Sequence, residues 1–302
     1  MQRPIRKAIF PVAGLGTRFL PASKAIPKEM LPILDRPLIQ MVVDEAREAG
    51  IEHFVFVTGR NKSVIEDHFD RQYELESILR KRGQSASLEL LEKDLPAPGQ
   101  TSFTRQQEPL GLGHAIWCAR HLIADEPFAV LLPDMIMMAK PGCLKQLIDI
   151  YHESGGGNVL AVEEVAWDRV DRYGVVVPDA WQDNHFSISG MVEKPKRDAA
   201  PSNLIISGRY ILQPEVFTEL SQQSSGAGGE IQITDAMIRL MGKQPFRGVK
   251  YVGTTYDCGD KIGLLSASVV HTLQHETFGS EFRDVLSSIV KEAGGRLTWG
   301  DE

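Results

Sequence analysis

Through the first half of the chain, short apolar runs closed by turn residues alternate with stretches of helical periodicity. Lys7–Val12 is an apolar run ending in a glycine loop and reads as a buried strand. Leu38–Glu48 repeats its apolar positions at helical spacing and stops at Gly50. Phe54–Val57 predicts a second buried strand, and Asn61 is a candidate N-cap for a helix running toward Leu79. Arg82–Gln100 mixes Gly, Ser, Pro and both charge signs and reads as partly loop. Leu112–Leu122 predicts a helix. Phe128–Leu132 predicts a third buried strand, closed by Pro133-Asp134, and Leu144–Tyr151 another helix, ended by Gly155-Gly156-Gly157.

The second half is richer in strands. Val159–Val165, Val175–Val177, Phe186–Val192 and Leu204–Leu212 are candidates, followed by a helix near Ile231–Met241 and a strand near Gly248–Val252. Ile262–Leu273 and Phe282–Ala293 read as amphipathic helices. Strand–helix alternation implies right-handed crossovers. The expected fold class is therefore α/β: a Rossmann-like, doubly wound, mixed but mostly parallel sheet flanked by helices, with added strands and C-terminal helices. No internal repeat or linker divides it. One domain over 1–302 is expected, with halves at 5–150 and 151–260 and a helical tail at 261–302.

Composition narrows the function. The 302 residues hold 33 Lys plus Arg and 40 Asp plus Glu, a formal charge of −7. That balance argues against a general nucleic-acid binder, which shows a basic footprint. Cys118, Cys143 and Cys258 are too scattered for a disulfide framework or a thiolate zinc site, and suit a reducing cytoplasm. No run of about 18 apolar residues predicts a transmembrane helix. The basic start, Met1–Lys7, runs into Gly14, Gly16 and Arg18 and does not read as a signal peptide.

The chemistry starts at Gly14-Leu15-Gly16-Thr17-Arg18. Glycines directly after a strand let backbone N–H groups approach a phosphate, and Arg18 adds a bidentate donor. A tight strand-to-helix turn explains the glycines equally well. The dinucleotide fingerprint needs a third glycine, where Phe19 stands, and the ATPase loop needs Gly-Lys-Ser/Thr, which is absent. Next comes a proline-braced segment, with prolines at 21, 27, 32 and 37, carrying Lys24 and Lys28. Solvated charge suffices for Lys24. Lys28, between Pro27 and Met30-Leu31, suits a phosphate ligand better.

The phrases Gly14–Pro21 and Pro27-Lys28-Glu29-Met30-Leu31-Pro32 resemble the bacterial UTP–glucose-1-phosphate uridylyltransferases, a branch of the sugar nucleotidyltransferase family. The resemblance runs in order through about residues 5 to 275. It implies Ala13, Gly14, Gly16, Thr17 and Glu29 around the nucleotide, with Arg18 and Lys28 on the triphosphate. It implies Gln106 and Gly111 at uracil, since a glutamine amide can pair with a pyrimidine edge. Alone, Gly111-Leu112-Gly113-His114 reads as a helix start, with His114 structural rather than catalytic.

Asp134, at the carboxyl end of a predicted parallel strand, lies on the sheet edge where ligands bind in open α/β folds. Asp257 follows another candidate strand. The resemblance implies both as ligands of Mg2+, which one or two carboxylates plus substrate phosphates typically hold. An N-cap role is the alternative for Asp257 or Asp260. Glu193 and Lys194 can share a site only if the chain bends, and Pro195 favours a bend. The resemblance implies Glu193 on sugar hydroxyls and Lys194 on the sugar phosphate, with Gly174 and Gly208 also at the sugar. Gly226–Asp235 matches a further phrase of the branch, with Gly229 where Asp is frequent; Ser23 stands for a frequent Thr and Arg36 for a frequent Lys.

The implied reaction converts UTP and glucose 1-phosphate to UDP-glucose and pyrophosphate in a homo-oligomer (dimer or tetramer), without nucleic-acid or membrane partners. The alternatives are a thymidylyltransferase, another hexose-1-phosphate nucleotidyltransferase, a non-catalytic sugar-nucleotide-binding regulatory subunit, and an NAD-binding protein. The missing third glycine disfavours the last.

Overall fold

The computed structural model describes residues 3–222 and 229–295. Its strands are β1 Lys7–Pro11, β2 Pro32–Ile33, β3 Arg36–Pro37, β4 His53–Thr58, β5 Thr101–Arg105, β6 Phe128–Leu131, β7 Met135–Met138, β8 Asn158–Glu164, β9 Gly174–Gln182, β10 His185–Glu193, β11 Leu204–Leu212, β12 Phe246–Lys250 and β13 Thr254–Asp257. Its helices are α1 Leu38–Glu48, α2 Ser63–His68, α3 Tyr73–Lys81, α4 Ser85–Asp94, α5 Leu112–Cys118, α6 Arg120–Ile123, α7 Cys143–Glu153, α8 Val216–Ser221, α9 Ile233–Met241, α10 Lys261–Leu273 and α11 Gly279–Glu292.

Nine strands form one sheet in the order β5-β4-β1-β6-β11-β8-β12-β10-β9. The strands β5, β4, β1 and β6 are parallel, so their carboxyl ends share one edge. Beyond them β11 runs antiparallel to both β6 and β8. The only other parallel neighbours among the described strands are β8 and β12. The sheet is mixed, as expected, but only four of its nine strand pairings are parallel, rather than most. Hairpin geometry in the second half explains the difference: β9 and β10 are joined by two residues and must pair antiparallel.

Alternation along the buried strands feeds a core on each face. Ala8 and Phe10 of β1, with Phe54 and Phe56 of β4, pack against α1 and α7. Ile9, Val55 and Val57 point the other way, toward α5, α8 and α9.

Several sequence expectations shift. Asn61 is no N-cap: it adopts a left-handed φ of 62°, which asparagine tolerates, and the helix begins at Ser63. The helix expected to run to Leu79 is broken into α2 and α3, because Phe69 turns inward to stack on Phe56. Arg82–Gln100 contains the exposed helix α4. The helix over 112–122 is divided at Ala119, which is fully buried. Gly226–Asp235 lies partly outside the described residues.

Candidate functional site

The four parallel strands deliver their following residues to one edge. Residues Ala13–Thr17 follow β1, Lys62 follows β4, Gln106 follows β5 and Asp134 follows β6. Between them lies a cavity of about 430 Å³. Ala13, Gly14, Gly16, Thr17, Glu29, Gln106 and Gly111 all line it, together with Lys28 and Asp134. The glycines are needed for close approach: at Gly16, with φ 66°, a Cβ would sit 3.2 Å from Ser23 Cβ and 3.4 Å from Lys28 Cβ. The Ser23 hydroxyl donates to Gly16 O at 2.6 Å, tying the loop to the proline-braced segment.

Lys28 Nζ lies 2.5 Å from Asp134 Oδ2. Burial opposes the Lys28 charge, but Asp134 and then Glu29 outweigh it and hold the ammonium above the usual lysine range. Burial likewise favours a neutral Asp134, and Lys28 outweighs it, so the carboxyl titrates below its usual value. Glu29 is itself buried and accepts from Lys62 Nζ at 2.7 Å. Lys62 was not singled out in the sequence. Its role depends on a contact 33 positions away, and a lysine after a turn carries no local signal.

Asp257 ends β13, whose antiparallel register places it opposite Met135 and so beside Asp134. Its Oδ1 accepts from Gly259 N at 2.9 Å, and Tyr173 Oη donates to its Oδ2 at 3.4 Å. A Cβ on Gly259 would lie 2.8 Å from Asp257 Oδ1, 3.1 Å from Asp134 Oδ2 and 3.6 Å from Arg18 Nη1. Two carboxylates and exposed Arg18 thus converge on a spot kept open by a glycine. Burial raises the Asp257 pKa; the Gly259 hydrogen bond opposes this, and the charges of Asp134 and Asp260 add to it. Such a pair of hard oxygen donors under mutual repulsion fits a divalent cation. Among the described residues no three His, Cys, Asp or Glu side chains cluster as metal ligands. The two carboxylates would therefore need phosphate oxygens or water to complete a coordination shell. Asp260, in contrast, caps α10, accepting from Gly263 N at 2.9 Å.

The sugar-side candidates lie outside this cavity. The bend between Glu193 and Lys194 is present: Lys194 adopts a left-handed φ of 46°, and its Nζ comes within 3.4 Å of Glu193 Oε1. Thr234 Oγ1, from the matching phrase Gly226–Asp235, donates to Glu193 Oε2 at 2.7 Å, a pairing that the local sequence does not show. A Cβ on Gly174 would lie 3.1 Å from Thr234 Oγ1 and 3.2 Å from Glu193 Oε2. Lys194 N donates to Tyr173 O, and the Tyr173 hydroxyl reaches Asp257, so Tyr173 ties this bend to the carboxylate pair. Gly208, with φ 82°, accepts from Leu132 N at 3.0 Å, and a Cβ there would meet Met135 Cγ at 2.9 Å.

Arg209, in the matching segment Ser207–Tyr210, has a role that the local sequence does not show. Fully buried, it forks onto Glu45 and donates to the carbonyls of Leu132 and Met135, which bracket Asp134. Its partner Glu45 is 164 residues away.

The chain matches the nucleotidyl transferase family over residues 7–270. A UTP–glucose-1-phosphate uridylyltransferase of Staphylococcus epidermidis is 45% identical over 287 residues, 95% of this chain and 99% of that one. One from Bacillus subtilis is 47% identical over 94% of this chain and 95% of its own. The UTP-bound UGPase from Acinetobacter baumannii superposes with a TM-score of 0.86 at 40% identity, covering 93% of this chain and 98% of that one. With near-complete overlap in sequence and fold, the chain belongs to the nucleotidyl transferase family and, within it, to the UTP–glucose-1-phosphate uridylyltransferases.

Proposed function

We propose that this enzyme joins UTP and glucose 1-phosphate to give UDP-glucose and pyrophosphate. The observation that carries the reading is that Lys28 and Asp134 line a glycine-rich cavity while Asp134 also meets Asp257 and Arg18 around Gly259. Relatives named for this activity match almost the whole chain, which supports it further.

A sugar-phosphate oxygen attacks the α-phosphorus of UTP, and pyrophosphate departs in line. The second pKa of a phosphate monoester is about 6, so the nucleophile is largely ionised at neutral pH and no general base is needed. Repulsion between polyanions and misalignment make the barrier, and positioned charge lowers both. Arg18 and Lys28 hold the triphosphate against the backbone of Ala13, Gly14, Gly16 and Thr17. Glu29, paired with Lys62, adds negative charge that helps keep Lys28 protonated. Gln106 and Gly111 meet the uracil. Lys194 meets the glucose phosphate, and Glu193 accepts from sugar hydroxyls near Gly174 and Gly208. Asp134 and Asp257 would hold Mg2+, which supplies charge neutralisation at the reacting phosphates.

In this reading residues 5–150 serve mainly the nucleotide, 151–260 the sugar, and 261–302 form a tail of a single domain. The working form is a cytoplasmic homo-oligomer, dimer or tetramer. The free cysteines fit a reducing compartment, and the exposed Ile262, Leu265 and Ile289 of the last two helices offer apolar surface for a second copy. No helix of the described residues is long and apolar enough to cross a membrane.

The test is pyrophosphate release with Mg2+ across a panel of nucleoside triphosphates and sugar 1-phosphates. UTP with glucose 1-phosphate is expected to give the highest kcat/KM. Release with no pair favours a binding subunit.

A further inference from the structure

Gln106 leaves β5 with its side chain packed against the start of α5. Its Nε2 lies 3.0 Å from Gly111 O and 3.1 Å from His114 Nδ1. A carbonyl oxygen can only accept, so the atom facing Gly111 must be the amide nitrogen. The second amide proton then points at His114 Nδ1, which accepts it and so bears no proton. A neutral imidazole carries its one proton on the other nitrogen, Nε2, and the Cys118 sulfur lies 3.9 Å from that atom as a weak acceptor. Burial pushes the Cys118 thiol up, so the sulfur meets the ring uncharged.

His114, Trp117 and Cys118 share one face of α5, three and four residues apart. The His114 ring stacks on Trp117 with centroids 6.0 Å apart and 20° between planes. The Arg120 guanidinium sits 3.5 Å over Trp117. The imidazole is therefore held in place while it orients the amide.

We propose that His114 is a specificity-setting positioning residue: by taking the second amide proton of Gln106, it leaves only the Oε1 acceptor for the base. The inference rests on the reading that Gln106 faces the base. Uracil carries a proton on ring nitrogen N3 and matches an acceptor. Cytosine presents an unprotonated N3 and needs a donor, which the amide can offer only by giving up a bond to Gly111 or His114. The chain thus selects between two pyrimidines of nearly equal size through a residue that touches neither.

The experiment measures kcat/KM for UTP and for CTP, each with glucose 1-phosphate, in the parent enzyme, His114→Phe and His114→Asn. Phenylalanine keeps the ring and its stacking but removes the acceptor. The UTP-to-CTP ratio is expected to fall by about tenfold or more, the scale of one mismatched buried hydrogen bond. Asparagine, whose Oδ1 can accept where Nδ1 did, is expected to restore it. An unchanged ratio in His114→Phe overturns the proposal, because a merely structural role would lower both activities together.

A second readout uses parent protein with 15N-labelled histidine. Among its 8 histidines, the signal removed by His114→Asn is expected to show the Nε2–H tautomer. The Nδ1–H tautomer overturns the proposal even where His114→Phe does not fold. A parent enzyme that releases pyrophosphate with no pyrimidine triphosphate overturns the activity and the base assignment together. A working parent with an unmoved ratio overturns the role of His114 alone.

Discussion

Lys28 and Lys194 each stand beside a carboxylate, yet the two pairs are built differently. Lys28 is 19% exposed, contacts Asp134 at 2.5 Å, and is backed by the buried Glu29–Lys62 pair. Lys194 is 43% exposed, lies 3.4 Å from Glu193, and occupies a left-handed bend. The first pair joins the residue run after β6, which carries Asp134, to a short helical turn of the proline-braced segment, which carries Lys28. The second sits at the end of β10, with Thr234 as a further partner of Glu193. The proposed nucleotide side is therefore held by close, largely buried ion pairs, whereas the proposed sugar side keeps a more exposed and more loosely paired cation, free to turn to an incoming phosphate. In one enzyme, positioned charge is supplied both by preorganisation and by recruitment.

Asp134→Asn should separate the two sides most strongly. Turnover is expected to fall roughly 1,000-fold, the upper end for losing one preorganised charged group. The check is the Mg2+ titration of activity beside a circular dichroism spectrum, and an unaltered titration counts against the assignment. Next comes Lys62→Met, which strands Glu29 in the interior. Breaking a buried pair costs about 3–5 kcal/mol, so chemical denaturation should show a loss of that size, with a smaller one if Lys28 takes over the pairing.

Lys194→Ala should reduce turnover by about 100-fold while leaving UTP affinity near that of the parent. Calorimetric titration with UTP checks the second half of that statement. Equal losses toward both substrates would show that the two sides are not independent.

The smallest effect is at His68, whose pKa is lowered chiefly by burial. As pH falls below the ordinary histidine value of 6.5, the unfolded chain takes its proton first. This contribution to stability is therefore present above that pH and lost below it, through the folded-state value. His53 and His271, also lowered by burial, act in the same direction. His68→Gln should flatten the fall in Tm between pH 7 and 5, read from thermal melts of parent and variant across that range.

Much of the fold is legible in apolar spacing. Helix α1 and strand β11 appear with the bounds expected, because each buries most of its apolar positions against a core. Strand β5 escapes notice because it is an edge strand with no fully buried residue, so no apolar run marks it. Among the described residues, strands β7 and β13 pair only with each other, and neither reads as a sheet strand alone. The site divides similarly. The seven residues expected around the nucleotide line one cavity, since their phrases lie next to strands that end on one edge. Lys62, Thr234 and Arg209 act through partners 33, 41 and 164 positions away, distances over which a single sequence carries no pairing signal.

Strand β11 has a mechanical consequence. All nine of its residues are buried, and it is zipped to β6 on one side and to β8 on the other. It is the seam between the halves assigned to the two substrates. Opening the enzyme like a book would tear two hydrogen-bonded ladders and wet a fully buried strand. A hinge at that seam would carry both costs. In the proposed reaction, bringing the two substrates together over this spine would fall to motions of reach, in loops and long side chains such as Lys194.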